Sequence, residues 1–544
     1  MEKRVGTPDF HYWSRLQRER RRKLRHLERS NGTRLSYTKL FLIALALIAV
    51  PVLIFMSATW YRNYSSAAGL EFSGDVITVR AGANFQAALD RARPGDTIRL
   101  EAGAVFKGAF KLPKKNGNEF ITVRSSAADD RLPAAGTRID PVKYASALPK
   151  LVSNARGEPV IMTTAGAHHY RFIGIEFGPT IEGIGNIIQL GTTEEKTVDD
   201  LPHHIEFDRV YIHGDPVDGQ RRGIAANGRH VKIENSYISD IKRKGDESQA
   251  ICIWATDGPV EIINNYLEAA AENIMFGGGG SYLKLVPSDS VVRDNFLTKP
   301  LEWINQPWVV KNLFEIKNGR RIKVTNNLMT NNWTMGQDGM AILFTTRADN
   351  GPETIIEDIE FSGNIIRGSG GGVSILGEEG SGGHKLLIQN NVFDDISSAK
   401  WRSVGHFMKS TKWDGLTIEN NTIIQTGNIT NAYGEPVKNF VFRNNIVFEN
   451  QYGIKGDNMG SGQEVIDKLF SNGLVIGNII IGGRSSLYRE RNYYPRTLLE
   501  IGFVDPANGD YRLRPDSPYL KKGVGGKSIG ANLDPSTVGR SAAR

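Results

Sequence analysis

The sequence predicts an all-β solenoid, a coil of short strands in which each turn stacks on the one before. Three observations predict it: an eight-residue phrase recurs along the chain, its spacing wanders, and no copy carries a 3.6-residue apolar stripe. The phrase is apolar–x–apolar–x–Asn–Asn–apolar–apolar, with copies at Val231–Ile238, Val260–Leu267, Ile322–Met329, Ile359–Ile366, Leu386–Phe393, Leu416–Ile423 and Phe440–Val447. Weaker copies stand at Ile205–Ile212, Val291–Leu297 and Val475–Ile480. The second Asn slot falls at Val210, Ser236, Asn265, Asn295, Asn327, Asn364, Asn391, Asn421, Asn445 and Asn478, in steps of 24 to 37 residues. A fixed-phase repeat of this length marks a solenoid, a propeller or an array. The missing helical stripe excludes the ankyrin, tetratricopeptide and HEAT arrays. A propeller blade needs four antiparallel strands and a steadier period.

Within the phrase, alternation before the Asn pair predicts a strand with one buried face. Asn tolerates the left-handed backbone of a sharp bend, and the apolar pair after it starts a second strand. Loops of varying length between stacked strands explain the wandering step. The Asn slots then fall one above another, where each side-chain amide can bond the next, as in stacked sheets.

At this point the chain resembles the right-handed parallel β-helix proteins of the pectate-lyase-like superfamily. Two further stretches carry the resemblance. Ile77–Leu100 is similar to the amphipathic capping helix and first rung of that superfamily, and Asp510–Leu520 with Gly526–Ala531 is similar to the closing segment of many secreted β-helices. The resemblance spans residues 75–535. It implies a right-handed parallel β-helix solenoid of about 11–12 rungs behind an N-terminal capping helix, preceded here by one transmembrane helix. It also implies polysaccharide as the partner and admits calcium as a cofactor.

The net charge of +8 raises the question of nucleic acid until the charge is located. Residues 1–39 hold twelve Lys/Arg and four Asp/Glu, leaving 55 of each sign for the rest. The excess therefore belongs to a basic arm, and a nucleic-acid partner is not expected. Residues 40–58 are 19 residues without a charge, long enough for one bilayer crossing. Tyr37 on one side and Trp60, Tyr61 and Tyr64 on the other stand where aromatic belts form. The Lys/Arg excess places the N-terminus in the cytoplasm. A cleaved signal peptide, cut near Ser65–Ala67, is the competing reading, but its apolar region is normally about 7–15 residues. The expected organisation is a basic cytoplasmic arm (1–39), a transmembrane helix (40–59), a linker (60–74), the β-helix domain (75–535) and a C-terminal tail (536–544). The domain would then be periplasmic or extracellular, and monomeric. Cys252 is the only cysteine, so no intrachain disulfide forms; stacked rungs bury their apolar faces on one another and need none.

Function is sought where the loops are widest, since sites tend to lie on loops held by a rigid scaffold. The steps from 295 to 327 and from 327 to 364 are adjacent and large, and the sequence between them is the least repetitive in the domain. Trp303, Trp308 and Trp333 fall there and are expected to bind substrate by stacking on sugar rings; the other reading is that they cover the core where loops leave it. Glu315 and Lys317 alternate with Phe314 and Ile316, so both project outward from one strand. With Arg347 they are the candidate catalytic set, and Lys299, Lys311 and Gln337 join the tryptophans as candidate substrate contacts. β-Elimination on a uronate polymer needs a base and a cation that neutralises the carboxylate. The lyases' arginine-containing signatures and the polygalacturonases' paired aspartates and Gly-His-Gly set are absent. Arg321-Ile-Lys323 matches one small polygalacturonase motif but also fits an ordinary repeat strand.

Other groups read more simply. Asp246 and Glu247 read as acids of a turn that could also reach the groove. Gly277–Gly280 lacks the following helix and lysine of a phosphate loop and reads as a backbone turn. His168-His169 and His203-His204 sit in adjacent rungs, but alternation sends one of each pair inward, so no metal site is expected. The chain reads as a membrane-tethered polysaccharide lyase or hydrolase, or as a non-catalytic carbohydrate-binding or assembly protein of the envelope. The topology is testable directly. A reporter fused after residue 70 is expected to be active only outside the cytoplasm, with the protein retained in membranes after a high-salt wash. Recovery of a soluble, N-terminally trimmed form would establish the signal-peptide reading instead.

Overall fold

The computed structural model describes residues 74–539, and they form a right-handed parallel β-helix. The basic arm, the apolar segment 40–59 and the linker up to residue 73 lie outside the described residues. Among the described residues no helix is long and apolar enough to cross a membrane. Three sheets run the length of the coil with 16, 13 and 12 strands, and all their strand pairs are parallel. We call these sheets 1, 2 and 3 in the order the chain visits them within a turn. One turn runs from Lys323–Thr325 in sheet 1, through Leu328–Asn332 in sheet 2 and Met340–Thr345 in sheet 3, to Ile356–Ser362 back in sheet 1.

Register follows the apolar positions of the repeat. Phe172, Phe207, Ile233 and Ile262 occupy successive turns of sheet 1, all fully buried. Sheet 2 aligns Ile238, Leu267, Leu297, Met329 and Ile366 in the same way, and sheet 3 aligns Ile224, Ile251, Ile274, Phe314 and Ile342. Like side chains in contact fix the spacing, as where Phe172 stacks on Phe207 with centroids 5.2 Å apart. Each such side chain contributes roughly 1.5–3 kcal/mol by leaving water. A one-residue slip would turn a whole row outward. At the described N-terminal end, helix α1 (Phe85–Arg91) buries Phe85, Ala88 and Leu89. The ring of Phe85 meets the edge of Phe110 at 4.8 Å, and Asn84 caps the helix by accepting from the Ala87 amide.

The corner between sheets 1 and 2 is the two-residue Asn bend. Its first residue is left-handed in turn after turn, with φ between 52° and 56° at Asn235, Asn264, Asn326, Asn390, Asn420 and Asn444. Its second residue is buried. From Asn265 through Asn295, Asn327, Asn364, Asn391, Asn421, Asn445 and Asn478 to Asn492, each Nδ2 donates to the next Oδ1 at 2.9–3.1 Å. The same Oδ1 accepts the backbone N–H of the preceding asparagine, as Asn421 does from Asn391 at 2.9 Å. The second Nδ2 proton goes to a strand carbonyl, Ile388 in the case of Asn421. Every donor and acceptor of the amide is therefore used.

Two straps cover the outside of this corner. An early loop binds Asn235 and Asn264 through the amide of Ile139, the carbonyl of Gly136 and the side chain of Arg138. The C-terminal segment runs back along the coil, meeting Asn444, Asn420, Asn390 and Asn326 in turn through Val524, Ser528, Asn532 and Gly539. It forms an apolar cluster of its own with Ile365, Val392, Ile446 and Ile479, and Val538, within the expected tail, is part of it.

The ladder's contribution is measurable. Asn421→Ala would leave the Asn391 backbone N–H and one Asn391 Nδ2 proton without an acceptor and take one donor each from the Asn445 Oδ1 and the Ile388 carbonyl. It should lower unfolding stability by roughly 1–3 kcal/mol. Unchanged melting of this variant would reduce these asparagines to surface turn formers.

Candidate functional site

The site grows out of sheet 3. Its strands Gln249–Ile253, Glu272–Phe276 and Asn312–Ile316 lie in consecutive turns. Ile251, Ile274 and Phe314 fill the core, and register then aligns Gln249, Glu272 and Asn312 in one row and Cys252, Met275 and Glu315 in another. Arg222 extends the first row. These rows carry a connected polar network. Arg222 Nε donates to Gln249 Oε1 at 2.6 Å, and Gln249 Nε2 to Glu272 Oε2 at 2.8 Å. Asn312 Nδ2 donates to Glu315 Oε2 at 3.1 Å and reaches Gln337 Oε1 at 3.4 Å. Lys311 pairs with Glu247 and lies 3.3 Å from Glu272 Oε1. Lys317 Nζ lies 3.8 Å from Glu315 Oε1 and contacts the Met275 sulfur. Gly278 makes room for the Lys317 stem, because a Cβ there would sit 2.9 Å from its Cδ.

Burial sets the electrostatics. Glu272 is wholly buried and Glu315 is 1% exposed. Removal from water pushes the Glu315 carboxyl up to about 7; Lys317 opposes this and Glu272 adds to it. Burial also works against the charge on Lys311, but Glu272 and Glu247 outweigh it and hold the ammonium above its usual range. Glu247 is held low: burial opposes its charge, and the Lys311 contact prevails. A carboxyl that titrates near neutrality beside a lysine can accept or release a proton at physiological pH.

Several residues singled out by sequence lie elsewhere. Lys299 is fully buried and donates to the carbonyls of Ala269, Ala271 and Asn312 and to Asn273 Oδ1, at 2.9–3.1 Å. Burial lowers its ammonium to about 7. It pins the backbone beneath the site and offers nothing to a ligand, so its expected substrate contact is corrected. Trp303, Trp308 and Trp333 are each 3% exposed and pack with Val310 and Trp401 under the loops. Lys242 and Lys244 cover this cluster, Lys242 Nζ lying 4.9 Å from the Trp303 ring and Lys244 Nζ 5.3 Å from that of Trp308. The tryptophans thus present no open faces, and the expected stacking platform gives way to a satellite core. Arg347 follows Lys317 by one turn, its amide bonding the Lys317 carbonyl at 3.2 Å, but its guanidinium turns to Glu379 at 2.7 Å. The network thus holds Glu315, Lys317, Lys311 and Gln337 together, without Arg347. Glu272, Gln249, Asn312 and Arg222 were missed, because sheet 3 carries no Asn marker to reveal its register. Glu247 was seen only as a turn acid that could reach the groove.

The histidine pairs also depart from expectation. His169 and His204 adopt φ of 56° and 52°, and this breaks the alternation. Both rings of each pair emerge on one side, with Nδ1 atoms 2.8 Å apart in His168–His169 and in His203–His204. Burial and neighbouring imidazoles lower His169 and His203 to about 4.

No protein-family profile matches the sequence, and no curated protein matches it. Solved structures do. An alginate lyase from Paenibacillus sp. strain FPU-7 aligns at 13% identity and a TM-score of 0.37 over 74% of this chain and 100% of its own. A variant of the PL6 family alginate lyase AlyGC aligns at 15% identity and a TM-score of 0.48 over 86% of this chain and 58% of its own. Pectate lyase II from Xanthomonas campestris pv. campestris aligns at 14% identity and a TM-score of 0.33 over 56% and 81%.

The raised Glu315 carboxyl has a consequence for stability. The folded protein holds a proton that the unfolded chain releases near 4.5, so this carboxyl's contribution to stability should be lost as pH rises from about 4.5 to 7 and level off above. It is read as the difference between wild type and Glu315→Gln, because the lowered His169 and His203 act in the opposite sense over much of that range. Glu315→Gln should flatten that window. Parallel pH–stability curves for the two proteins would mean that the carboxyl titrates as in water.

Proposed function

We propose that the protein binds or cleaves an acidic polysaccharide on the outward face of sheet 3, centred on Glu315, Lys317, Lys311 and Glu272. The observation that carries this reading is the Glu315–Lys317 pair, a near-neutral carboxyl 3.8 Å from an ammonium. β-Elimination next to a uronate carboxylate takes a proton from carbon and stabilises negative charge on oxygen. Here Glu315 is the candidate proton acceptor and Lys317, with Lys311 behind it, the candidate stabiliser. The same pair could serve a hydrolase, with Glu315 protonated as the acid. Substrate must pass Lys317, whose side chain is 14% exposed, to reach Glu315.

The donor set also suits the calcium that the fold family admits. Asn312 Oδ1 is a buried acceptor without a hydrogen-bond donor, and Glu272 Oε1 has only the Lys311 ammonium, 3.3 Å away; with Glu315 they offer oxygen ligands of the kind a hard cation takes. Bound there, the ion would neutralise a substrate carboxylate. We further propose that residues 40–59 anchor the domain outside the cytoplasm. A non-catalytic envelope protein that holds glycan or assembles with it is the second reading; the burial of Glu315 and the engagement of Arg347 by Glu379 favour it.

The two readings separate in one assay. Protein incubated with uronate polymers should generate the absorbance of the unsaturated product, and Lys317→Ala and Glu315→Gln should each reduce the rate by at least about 100-fold. Binding without turnover, weakened several-fold by Lys317→Ala, would establish the binder. Neither binding nor turnover on any acidic glycan would remove the proposal.

A further inference from the structure

Away from sheet 3, the early turns of sheet 1 gather five histidines on their outer side. His168 and His203 are register partners, and their rings stack with centroids 4.7 Å apart and planes 3° apart. His169 and His204 stack at 4.6 Å and 4°, and His230 continues that column at 4.5 Å. The left-handed backbone at His169, His204 and His230 repeats in each turn, so the array is copied by the coil and held by it. The result is a two-by-two block of imidazoles with Nδ1 atoms meeting across each rung. His168 is buried, while His169, His203 and His204 are half-buried and His230 is exposed, which leaves the block open to solvent on one side.

We propose that His168, His169 and His203, backed by His204, bind a late first-row divalent metal ion of the Zn2+, Ni2+ or Cu2+ class. The ligand nitrogens of the first three all lie within 4.8 Å of one another. Tetrahedral bonds of about 2.0–2.1 Å place imidazole nitrogens about 3.3 Å apart. The 2.8 Å pair is closer than this and must open by about 0.5 Å, while the third nitrogen, within 4.8 Å of the others, must close by up to about 1.5 Å through a side-chain rotation for the three to share one centre. The all-nitrogen set selects against Mg2+ and Ca2+, which take oxygen ligands. The nearby carboxylate of Glu206 is engaged by Arg171 at 2.5 Å, so imidazoles supply the site. In the metal-free protein a neutral pair satisfies itself with one Nδ1–H donating to the other Nδ1; on binding, that proton moves to the donor ring's Nε2, so both Nδ1 lone pairs face the ion and each ring stays a neutral ligand.

The full-length protein, purified without a histidine tag and stripped with chelator, provides the test. Equilibrium dialysis against Zn2+ or Ni2+ should give one ion per chain. His169→Asn combined with His204→Asn should weaken binding more than about 10-fold, and Asn accepts the left-handed backbone at both positions. His384→Asn, at a partly exposed histidine outside the block, should leave affinity unchanged. The Cu2+-loaded wild type should show an electron paramagnetic resonance spectrum split by at least three nitrogens. No stoichiometric binding by the wild type, equal affinity in the double variant, loss of binding in His384→Asn, or a copper spectrum with one nitrogen or none would each overturn the proposal. Should the double variant fail to fold, the wild-type stoichiometry and copper spectrum decide alone.

Discussion

Each asparagine of the buried ladder closes a corner, joins two turns and fixes their phase in a single amide. Its oxygen takes two N–H donors from the turn before, and its nitrogen gives one proton to the turn after and one to a strand carbonyl. In a buried setting such a group has no cheap alternative partner, because an unsatisfied donor or acceptor costs as much as a hydrogen bond contributes. An insertion at the corner would therefore break the links to both neighbouring turns. Length varies elsewhere: the step from Asn327 to Asn364 is 37 residues and that from Asn421 to Asn445 only 24, yet both links are intact.

The rest of the molecule uses that fixed phase. The left-handed first residues of the corner present their side chains outward, where the two straps bind them. On sheet 3 the same phase brings residues more than 20 apart in sequence, such as Gln249, Glu272 and Asn312, into one row. The polar network is thus built on the strand positions of Arg222, Gln249, Glu272, Asn312 and Glu315, joined by Glu247, Lys311 and Lys317 just beyond the strand ends and by Gln337 from a loop. Lys299 links the network to the backbone beneath it, its buried ammonium holding the Asn312 carbonyl while the Asn312 side chain holds Glu315. On sheet 1 a second repeated feature, the left-handed residue that follows His168 and His203, turns an alternating strand into a paired imidazole column.

Much of the coil was legible because its signal is periodic and local. The phrase around Asn391 or Asn421 states strand, bend and strand within eight residues, and burial of the second asparagine follows from its neighbours. The outward placement of Glu315 could be read from Phe314 and Ile316 on either side. Its partners could not, since matching Glu272 to Asn312 requires the length of every loop between them. The tryptophans misled for a related reason. An aromatic in a long loop looks exposed until the loop is seen folded over Val310 and Trp401. The histidines misled because alternation assumes extended backbone, and nothing in the sequence at His169 or His204 announces a positive φ.

The central functional claim is that ligand contacts converge on the outward face of sheet 3. Hydrogen–deuterium exchange of the full-length protein, with and without an acidic oligosaccharide, tests it most directly. The account predicts slowed exchange confined to segments 246–249, 272–276, 311–317 and 336–339. Protection on sheet 1 or along the asparagine corner, with those segments unchanged, would contradict it.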